Sequence, residues 1–410
     1  MKMGMLGIVT LTLGASACGG DVDEAVVAGP GPGMTPTFEV DPGWPKIPND
    51  WILGITSGLA IDANSNIWVL QRPRTLAPED VPHAAPPVLV FDIAGNFIKG
   101  WGGDGEGYEW PGTEHGIFVD HNDFVWIAGS GNGDDQILKF TTDGELVMQI
   151  GRAGASGGNT DTLNVRQAAD VYVYPSTNEL FVADGYGNRR VIVFDAETGR
   201  YKRMWGAFGN PPTDPPPSAG GRGGRGGGGG AGAAAESEAD RAASQNFDLV
   251  HGVRVSNDGL VYVSDRRGMR FQVFTVAGSY IAQVMVGRNE VDSAAIAERV
   301  GDMMWDRPAS RWIEMVNTAH QSASRSAFSA DAEQRYLFIA DRSNQQVIVF
   351  DRQTLQPLSR FGRVGNRPGE FYVLHDMVAD PQGNLYTAEV QEGRRAQKFV
   401  LTGYAPVSPM

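Results

Sequence analysis

Short apolar runs recur along this chain, and each run is followed by a second apolar segment that ends in phenylalanine. Turn-forming residues such as Asn257-Asp258-Gly259 precede the runs, and later segments close on glycine, as at Trp101-Gly102. Short strands joined by tight turns predict four-stranded antiparallel units. The six apolar runs lie at residues 67–70, 125–128, 180–184, 261–265, 337–341 and 385–389, and the phenylalanines are Phe91, Phe140, Phe194, Phe274, Phe350 and Phe399.

Four-stranded units that repeat every roughly 40–50 residues are typical of the blades of a β-propeller. Six such units predict an all-β fold, a six-bladed β-propeller over residues 38–403, with residues 404–410 as a tail. The tail is too short to add an outer strand to the sixth blade. We therefore expect Phe38-Glu39-Val40 to supply that strand and to close the ring, which leaves no exposed sheet edge.

Two inserts explain why some repeats are longer than the others. Consecutive phenylalanines are 80 and 76 residues apart on either side of the fourth repeat, against 49 to 54 elsewhere. Residues 211–245 are rich in Pro and Gly, which predicts a surface loop without a core of its own. Residues 289–321 carry apolar side chains near helical spacing, among them Met303 and Met304, which predicts a partly helical excursion.

The N-terminal residues have the pattern of an export signal that ends at a lipid-modified cysteine. Lys2 precedes an apolar stretch and small residues lead up to Cys18, so residues 1–17 are the expected signal peptide and residues 18–37 a flexible tether. We expect an exported bacterial lipoprotein that faces the periplasm or the cell exterior and touches the membrane only through its lipid anchor. Cys18 is the only cysteine in the sequence, so no intramolecular disulfide can form.

The charge balance of the chain bears on its partners. There are 34 Lys and Arg residues against 48 Asp and Glu residues, which gives a formal net charge of −14 at pH 7. Nucleic-acid binding needs clustered positive charge, so this composition argues against nucleic acid as a partner. We expect a small-molecule or peptide substrate and a monomeric protein.

Three of the six histidines share one position in the repeat. His115, His251 and His375 each lie about ten residues before an apolar run, at the start of the innermost strand of the second, fourth and sixth repeats. Alternate blades of a six-bladed ring are about 120° apart, so these side chains are expected to meet on the central axis. Three imidazoles with open coordination positions suit a catalytic zinc or another borderline divalent cation. The aligned positions in the first, third and fifth repeats lie near Ser57, Ala169 and Ser326.

A set of short motifs is shared with a known enzyme family. The motifs are His115-Gly116, His251-Gly252, His375-Asp376, Asp184-Gly-Tyr-Gly-Asn-Arg189, Asp265-Arg266 and Arg72. Together they resemble the peptidyl-α-hydroxyglycine α-amidating lyases and their bacterial relatives built from NHL repeats, over about residues 38–403. The resemblance implies an NHL-like propeller and a carbon–nitrogen lyase, which splits a carbinolamide into an amide and an aldehyde acid such as glyoxylate.

The resemblance also implies the metal centre of the enzyme. It places zinc on His115, His251 and His375, with Tyr186 beside the metal as the group that takes the hydroxyl proton of the substrate. This assignment is chemically reasonable, because a bound cation polarises a hydroxyl group and a nearby phenol can accept its proton.

Further residues are assigned by the same resemblance. Arg72 and Arg266 would bind the carboxylate end of the substrate, for which the guanidinium fork is well suited. Asp376 would be a ligand of a second, structural calcium ion. The sequence departs from the family at Gly187, where the animal lyases have cysteine, and at Val373, where they have methionine, and these changes affect the expected fit of the substrate.

Two other classes of function remain open. The propeller could be a binding module for a protein or a glycan, with a purely structural metal, because fold alone does not dictate activity. It could also be a metal-dependent lactonase or another hydrolase, although such sites usually place acidic ligands on the axis and the histidines count against this class. A binding module has no reason to hold Tyr186, Arg72 and Arg266 close to the histidines, so their distances separate the first alternative from the lyase.

Overall fold

The computed structural model describes residues 31, 33–214, 238–287, 303–304, 307–308 and 321–408. The expected signal peptide and Cys18 lie outside these residues, as does most of the expected tether. Within the described parts of the chain, no helix has the length and apolar character needed to cross a bilayer.

The chain forms six four-stranded antiparallel sheets arranged as the blades of a propeller, which confirms the predicted fold class. In each of the first five blades the strands follow one another outward from the axis in chain order. The first three blades comprise β2 (Ile55–Ile61), β3 (Ile67–Arg72), β4 (Val88–Phe91) and β5 (Phe97–Trp101); β6 (Glu114–Val119), β7 (Phe124–Gly129), β8 (Gln136–Thr141) and β9 (Leu146–Gly151); and β10 (Asp170–Tyr174), β11 (Glu179–Asp184), β12 (Arg190–Asp195) and β13 (Tyr201–Trp205).

The remaining blades follow the same plan, except that the last is completed from the other end of the chain. Blade six has the order β1-β26-β25-β24, in which β1 (Met34–Asp41) is the outer strand. The other strands of these blades are β14 (Val250–Val255), β15 (Leu260–Asp265), β16 (Arg270–Thr275) and β17 (Tyr280–Met285); β20 (Ser326–Phe328), β21 (Tyr336–Asp341), β22 (Gln346–Asp351) and β23 (Pro357–Phe361); and β24 (Leu374–Ala379), β25 (Leu385–Glu389) and β26 (Arg395–Pro406).

The closing strand lies where the sequence predicts it, but the paired region is longer. β1 pairs antiparallel with β26 from Met34↔Pro406 to Asp41↔Lys398, and Val40 lies opposite Phe399. Residues 404–406, expected to belong to the tail, are therefore part of the sheet. This pairing joins both ends of the repeat array in one blade, so the ring has no open sheet edge there.

Both faces of each inner strand are covered by neighbouring blades, which explains why the sequence shows continuous apolar runs there. All six residues of β11 are buried, whereas β17 at the outside of its blade has no buried residue. Apolar side chains fill the space between adjacent blades; between blades three and four, for example, Phe181 and Val193 pack in one cluster with Val263 and Phe274. Burial of each such side chain contributes about 1.5–3 kcal/mol.

The inserts depart from the sequence-based interpretation where the structure describes them. The first insert contains one short helix, α1 (Glu238–Ala243), and the rest of the predicted loop lies largely outside the described residues. In the second insert, Met303 and Met304 were expected near helical spacing, yet they form β18 (Met303–Met304), which pairs with β19 (Arg307–Pro308). The remainder of the expected helical excursion also lies outside the described residues. Short 3₁₀ turns occupy Pro73–Thr75, Val81–His83, Ala207–Gly209 and Gln391–Gly393.

Candidate metal centre

Each of the three repeat-position histidines is the extra residue of a β-bulge in an innermost strand. The pairing register shifts between Glu114 and Gly116 in β6, and the equivalent shifts in β14 and β24 occur at His251 and His375. A bulge leaves one residue unpaired and can re-aim its side chain. The bulges thus free the histidines from the blade-to-blade packing, and His115, His251 and His375 are all buried together at the centre of the ring.

Glycines beside the bulges let the innermost strands approach closely at the axis. A Cβ atom on Gly116 would lie 2.8 Å from the carbonyl oxygen of Ala169 in the next blade. A Cβ atom on its counterpart Gly252 would lie 3.3 Å from the carbonyl oxygen of Ser324. The His-Gly pairs in the sequence therefore reflect both the histidine at the axis and the space that the neighbouring strand occupies.

The orientation of the imidazoles is fixed by the backbone of the following blade. Nδ1 of His115 donates to the carbonyl oxygen of Ala169 at 2.8 Å, Nδ1 of His251 to Ser324 at 2.7 Å, and Nδ1 of His375 to Ser57 at 2.8 Å. A proton on each Nδ1 leaves the Nε2 lone pair available as a metal ligand. In the fifth blade the aligned residue is thus Ser324, two positions before the expected Ser326, because its carbonyl oxygen accepts from a histidine as those of Ser57 and Ala169 do.

The three rings form a compact cluster of neutral donors. Ring centroids are 5.0 Å apart for His115 and His251, 4.7 Å for His115 and His375, and 4.8 Å for His251 and His375. One ring nitrogen from each lies within 4.8 Å of the others. Burial, and then the positive charge of neighbouring histidines and arginines, holds the pKa of His115 and His375 well below the ordinary value. Neutral imidazoles bind metal without first losing a proton, so this donor set fits a divalent cation.

Tyr186 and Arg266 meet the histidines at the same end of the channel. The hydroxyl of Tyr186 donates to Nε2 of His115 at 3.0 Å, and NH1 of Arg266 donates to the Tyr186 oxygen at 3.1 Å and to Nε2 of His251 at 2.8 Å. The guanidinium of Arg266 also lies 5.3 Å from the centroid of the Tyr186 ring. The structure thus brings together the tyrosine, one arginine and the three histidines that the sequence analysis singled out.

Buried carboxylates at the ends of the second strands hold the loops that carry these two residues. Asp184 accepts hydrogen bonds from the side chains of Asn188 and Arg190, and from the backbone N–H of Arg166. Asp265 does the same in the next blade, where it accepts from Arg270 and from the backbone N–H of Leu249. The recurrent acidic residues are therefore positioning residues for the loops at the channel mouth.

The loop that carries Tyr186 also needs glycine on both sides of the tyrosine. A Cβ atom on Gly185 would lie 2.0 Å from the carbonyl oxygen of Val250, and one on Gly187 would lie 2.3 Å from Cγ of Arg166. We expect Gly185→Ala to push the loop away from β14 and to weaken the Tyr186–His115 contact. The expected result is an unchanged metal content together with altered surroundings of the metal. The altered surroundings would be detected as a changed absorption spectrum of the cobalt-substituted protein. An unchanged spectrum would contradict this account of the loop.

Arg72 lies at the end of β3 and reaches the same region from blade one. Its Nε donates to the carbonyl oxygen of Glu114 at 2.6 Å, the residue next to His115. Burial lowers the pKa of Arg72, and the proximity of Tyr186 and Glu114 opposes that shift. The positive charge of Arg72 in turn contributes to the lowered pKa of His115. Arg72 is therefore next to the histidine cluster, and its Nε is bound to the backbone beside His115.

Asp376 does not have the surroundings expected of a calcium ligand. Its Oδ1 lies 3.8 Å from Nε of Arg325 and accepts a hydrogen bond from the backbone N–H of Met377 at 2.7 Å, while Oδ2 accepts from Leu59 at 2.9 Å. Arg325 is fully buried, forms an ion pair with Asp170 and donates to the carbonyl oxygen of Ala169 at 2.7 Å. Two carboxylates and a carbonyl thus surround a guanidinium where the resemblance implies an ion, and the residues do not fit calcium.

Two arginines of this region were missed by the sequence analysis. Arg325 follows Ser324 and so occupies the position of Asp376 in its blade, but the two-residue error in alignment concealed this relation. Arg342 follows Asp341 at the end of the apolar run of blade five, as Arg266 follows Asp265. The repeated Asp-Arg pair is a signal in the sequence that points to Arg342.

Comparison with known proteins agrees with the architecture. The NHL repeat family model matches residues 247–274, a stretch of blade four that includes His251 and Arg266. The chain is a six-bladed β-propeller whose fourth blade matches the NHL repeat. The propeller is 26% identical over 380 residues to human NHL repeat-containing protein 3, with 90% of this chain and 86% of that protein covered. It is 28% identical over 249 residues to the mouse protein of the same name, covering 58% of this chain and 57% of that protein.

A second group of relatives corresponds to the resemblance found in the sequence. The propeller is 24% identical over 263 residues to peptidyl-glycine alpha-amidating monooxygenase B of Xenopus laevis. This match covers 60% of the chain but only 26% of the relative, so the propeller corresponds to one part of a longer protein. A solved structure described as a streptogramin B lyase structure aligns with a TM-score of 0.48 and 11% identity over 89% of this chain and 98% of that chain, a level that carries no functional argument.

Proposed function

We propose that this propeller is a metal-dependent lyase, with zinc as the metal, that cleaves the carbon–nitrogen bond of a carbinolamide such as a peptidyl-α-hydroxyglycine. The observation that carries the proposal is the contact of Tyr186, whose hydroxyl lies 3.0 Å from Nε2 of His115 and 3.1 Å from NH1 of Arg266. A phenol held between a metal-ligand imidazole and a cation is well placed to move a proton at the metal. The similarity to peptidyl-glycine alpha-amidating monooxygenase supports this reaction class.

The proposed reaction is an elimination that needs no external reagent. The phenolic oxygen of Tyr186 takes the proton of the carbinolamide hydroxyl. The electron pair of that O–H bond forms the carbonyl group of glyoxylate as the carbon–nitrogen bond breaks, and the proton is passed to the departing amide nitrogen. A divalent cation bound by the three histidines would supply Lewis-acid polarisation of the substrate hydroxyl.

The arginines give the substrate its orientation. Arg266 touches both Tyr186 and His251, so a carboxylate bound by its guanidinium would lie beside the reacting carbon. Arg72 approaches from the opposite side of the ring, because blades one and four face each other across the axis of six blades. Guanidinium groups bind carboxylates through paired hydrogen bonds, which restricts the orientation of the bound substrate.

The alternative is an extracytoplasmic binding module in which the metal is only structural. The similarity to NHL repeat-containing protein 3 over 90% of the chain fits this alternative as well. The lyase is favoured by the distances at the site, since a binding module has no need to place the hydroxyl of Tyr186 and the guanidinium of Arg266 within hydrogen-bond distance of the histidines.

We also propose that the protein acts outside the cytoplasm as a lipid-anchored monomer. Labelling of Cys18 with a radioactive fatty acid in cells would test the lipid anchor.

Release of product tests the proposal directly. The zinc-loaded protein is incubated with a peptide that ends in α-hydroxyglycine, and the amide and glyoxylate are quantified in parallel. We expect both products in equal amounts from the wild-type protein and none above the uncatalysed rate from His251→Ala. Exposed His121, in the turn after β6, provides the matched control, because His121→Ala removes an imidazole without touching the cluster. Wild-type protein that carries metal and releases no glyoxylate would overturn the proposed reaction.

A further inference from the structure

Three arginines occupy the same repeat position around the mouth of the channel. Arg72, Arg266 and Arg342 each stand at the end of the second strand of a blade or directly after it, in blades one, four and five. Blades four and five are neighbours in the ring, so Arg342 stands beside Arg266, while Arg72 comes from the other side. The proposed lyase needs guanidinium groups for one carboxylate, and Arg342 is in excess of that need.

Arg342 and Arg266 have hydrogen-bonding capacity that the described protein does not use. Arg266 is 5% exposed, and its Nε has no hydrogen-bond partner among the described residues. Nε of Arg342 is also buried without a described partner, and NH1 of Arg342 donates only to the neutral amide oxygen of Gln321. Buried N–H groups of charged side chains are seldom left unpaired in native proteins, so these groups point to a ligand that accepts hydrogen bonds.

The charged side chains that act on Arg342 are other arginines. Burial and the positive charge of Arg266 lower the pKa of Arg342 to about 9, and the exposed Arg267 acts in the same direction. Within the described parts of the chain, neither Arg342 nor Arg266 forms an ion pair with a carboxylate, and the exposed Asp248 acts on Arg266 only at longer range. This concentration of positive charge lies in a chain whose net charge is −14, so it is a local feature of the channel mouth.

We infer that the channel mouth has a second anion subsite, formed by Arg342 next to Arg266, and that the physiological substrate carries two anionic groups. This inference rests on the proposed function only where it calls the bound molecule a substrate. The subsite itself is defined by binding and does not require catalysis. One carboxylate would lie between Arg72 and Arg266 beside the metal, and the other would accept hydrogen bonds from Arg342. The substrate class is then a carbinolamide whose acyl part bears a carboxylate, such as an amide of a dicarboxylic acid or an acidic peptide.

Binding of simple diacids tests the inference without any turnover. The series from malonate to adipate is titrated into the zinc-loaded protein by calorimetry, and each diacid is compared with its own monoamide, which has the same length and one charge less. We expect at least one diacid to bind about tenfold or more tightly than its monoamide, since the added charge-assisted hydrogen bonds are strong in a buried site. Equal affinity for every pair would overturn the inference.

Substitution of Arg342 identifies the residue responsible. Arg342→Gln is expected to reduce the diacid preference to about onefold while the affinity for the monoamide stays the same, and Arg342→Lys is expected to keep part of the preference. Arg200→Gln, in an exposed turn between β12 and β13, is the matched control and should change nothing. A full preference in Arg342→Gln would assign the second anion to another group and contradict our inference. Failure of the lyase assay would leave these binding ratios unaffected, so the two proposals can fail separately.

Discussion

Replacement of Tyr186 by phenylalanine is expected to lower kcat by about 10²- to 10⁴-fold, the range typical for loss of a general acid–base group. The change removes one oxygen atom, which contacts Nε2 of His115 and NH1 of Arg266, and leaves the ring in place. Metal content should stay the same, because the three histidines retain their Nδ1 hydrogen bonds to the backbone. The measurement is the rate of glyoxylate release at saturating substrate, together with the metal content of the same preparation.

A control variant separates this effect from a general loss of fold. Tyr201 lies on the outer strand β13 and is 38% exposed, so Tyr201→Phe removes a hydroxyl far from the channel. We expect full activity from that variant. A Tyr186→Phe protein with wild-type kcat would show that the tyrosine moves no proton in the reaction, and the proposed mechanism would be wrong.

Removal of the Arg325 guanidinium is expected to cause the largest loss of stability of any single substitution discussed here. Arg325→Met would leave Asp170 and Asp376 buried without their shared cation, since both carboxylates are about 1% exposed. Loss of one partner from a buried ion pair typically costs about 3–5 kcal/mol in the free energy of unfolding. Chemical denaturation of wild type and variant at neutral pH measures the difference directly. Arg254 also contacts Asp170 at 2.5 Å, so Asp170 keeps one cationic partner in the variant. The expected loss of unfolding free energy therefore stays within the range given above.

The same position offers a test of why calcium does not fit this protein. In Arg325→Ala the space of the side chain is vacated between Asp170, Asp376 and the carbonyl oxygen of Ala169, which are oxygen donors of the kind that calcium binds. Millimolar calcium is expected to raise the unfolding temperature of this variant and to leave that of the wild type unchanged. A wild-type protein whose stability falls when calcium is chelated would contradict the conclusion that the Arg325 guanidinium, and not calcium, lies between these oxygen atoms.

The ring and its closure were predictable because they depend on repetition. Six apolar runs at similar spacing indicate six blades whatever the exact register of any one strand, and the missing outer strand of blade six pointed to Phe38-Glu39-Val40. The three histidines were predictable for the same reason, since equivalent positions in alternate blades must converge on the axis of a closed ring. Tyr186 and Arg266 could be assigned only through resemblance, because nothing in the repeat pattern alone tells where a loop side chain points.

The residues that were missed depend on register and on side-chain reach. A bulge at each histidine shifts the alignment of axial positions in blades two, four and six, and in blade five Ser324, not Ser326, corresponds to the histidines. With that shift Arg325 falls at the level of Asp170 and Asp376, and its long side chain can reach both carboxylates. A sequence pattern does not contain this information, because a carboxylate beside a metal and a carboxylate beside a guanidinium look the same. Met303 and Met304 show a related limit, since helical spacing in a short segment did not prevent strand pairing.

The local charge of the channel mouth also could not be read from composition. An overall charge of −14 argued against nucleic acid, and yet Arg72, Arg266 and Arg342 together make the mouth positive. The repeat explains how this arises: a residue type at one position of a blade is presented at the same height in every blade that carries it. A propeller can therefore concentrate one sign of charge at its axis while its surface has the other.

The central claim is that His115, His251 and His375 together hold one divalent metal ion at the axis of the ring. The most direct measurement is the metal content of the purified wild-type protein and of His251→Ala, by mass spectrometry after dialysis against a weak chelator. We predict about one zinc ion per chain in the wild type and close to none in the variant, with both proteins folded by circular dichroism. Equal metal content in the two proteins, or a wild type that binds no divalent ion, would contradict the site and with it the proposed lyase.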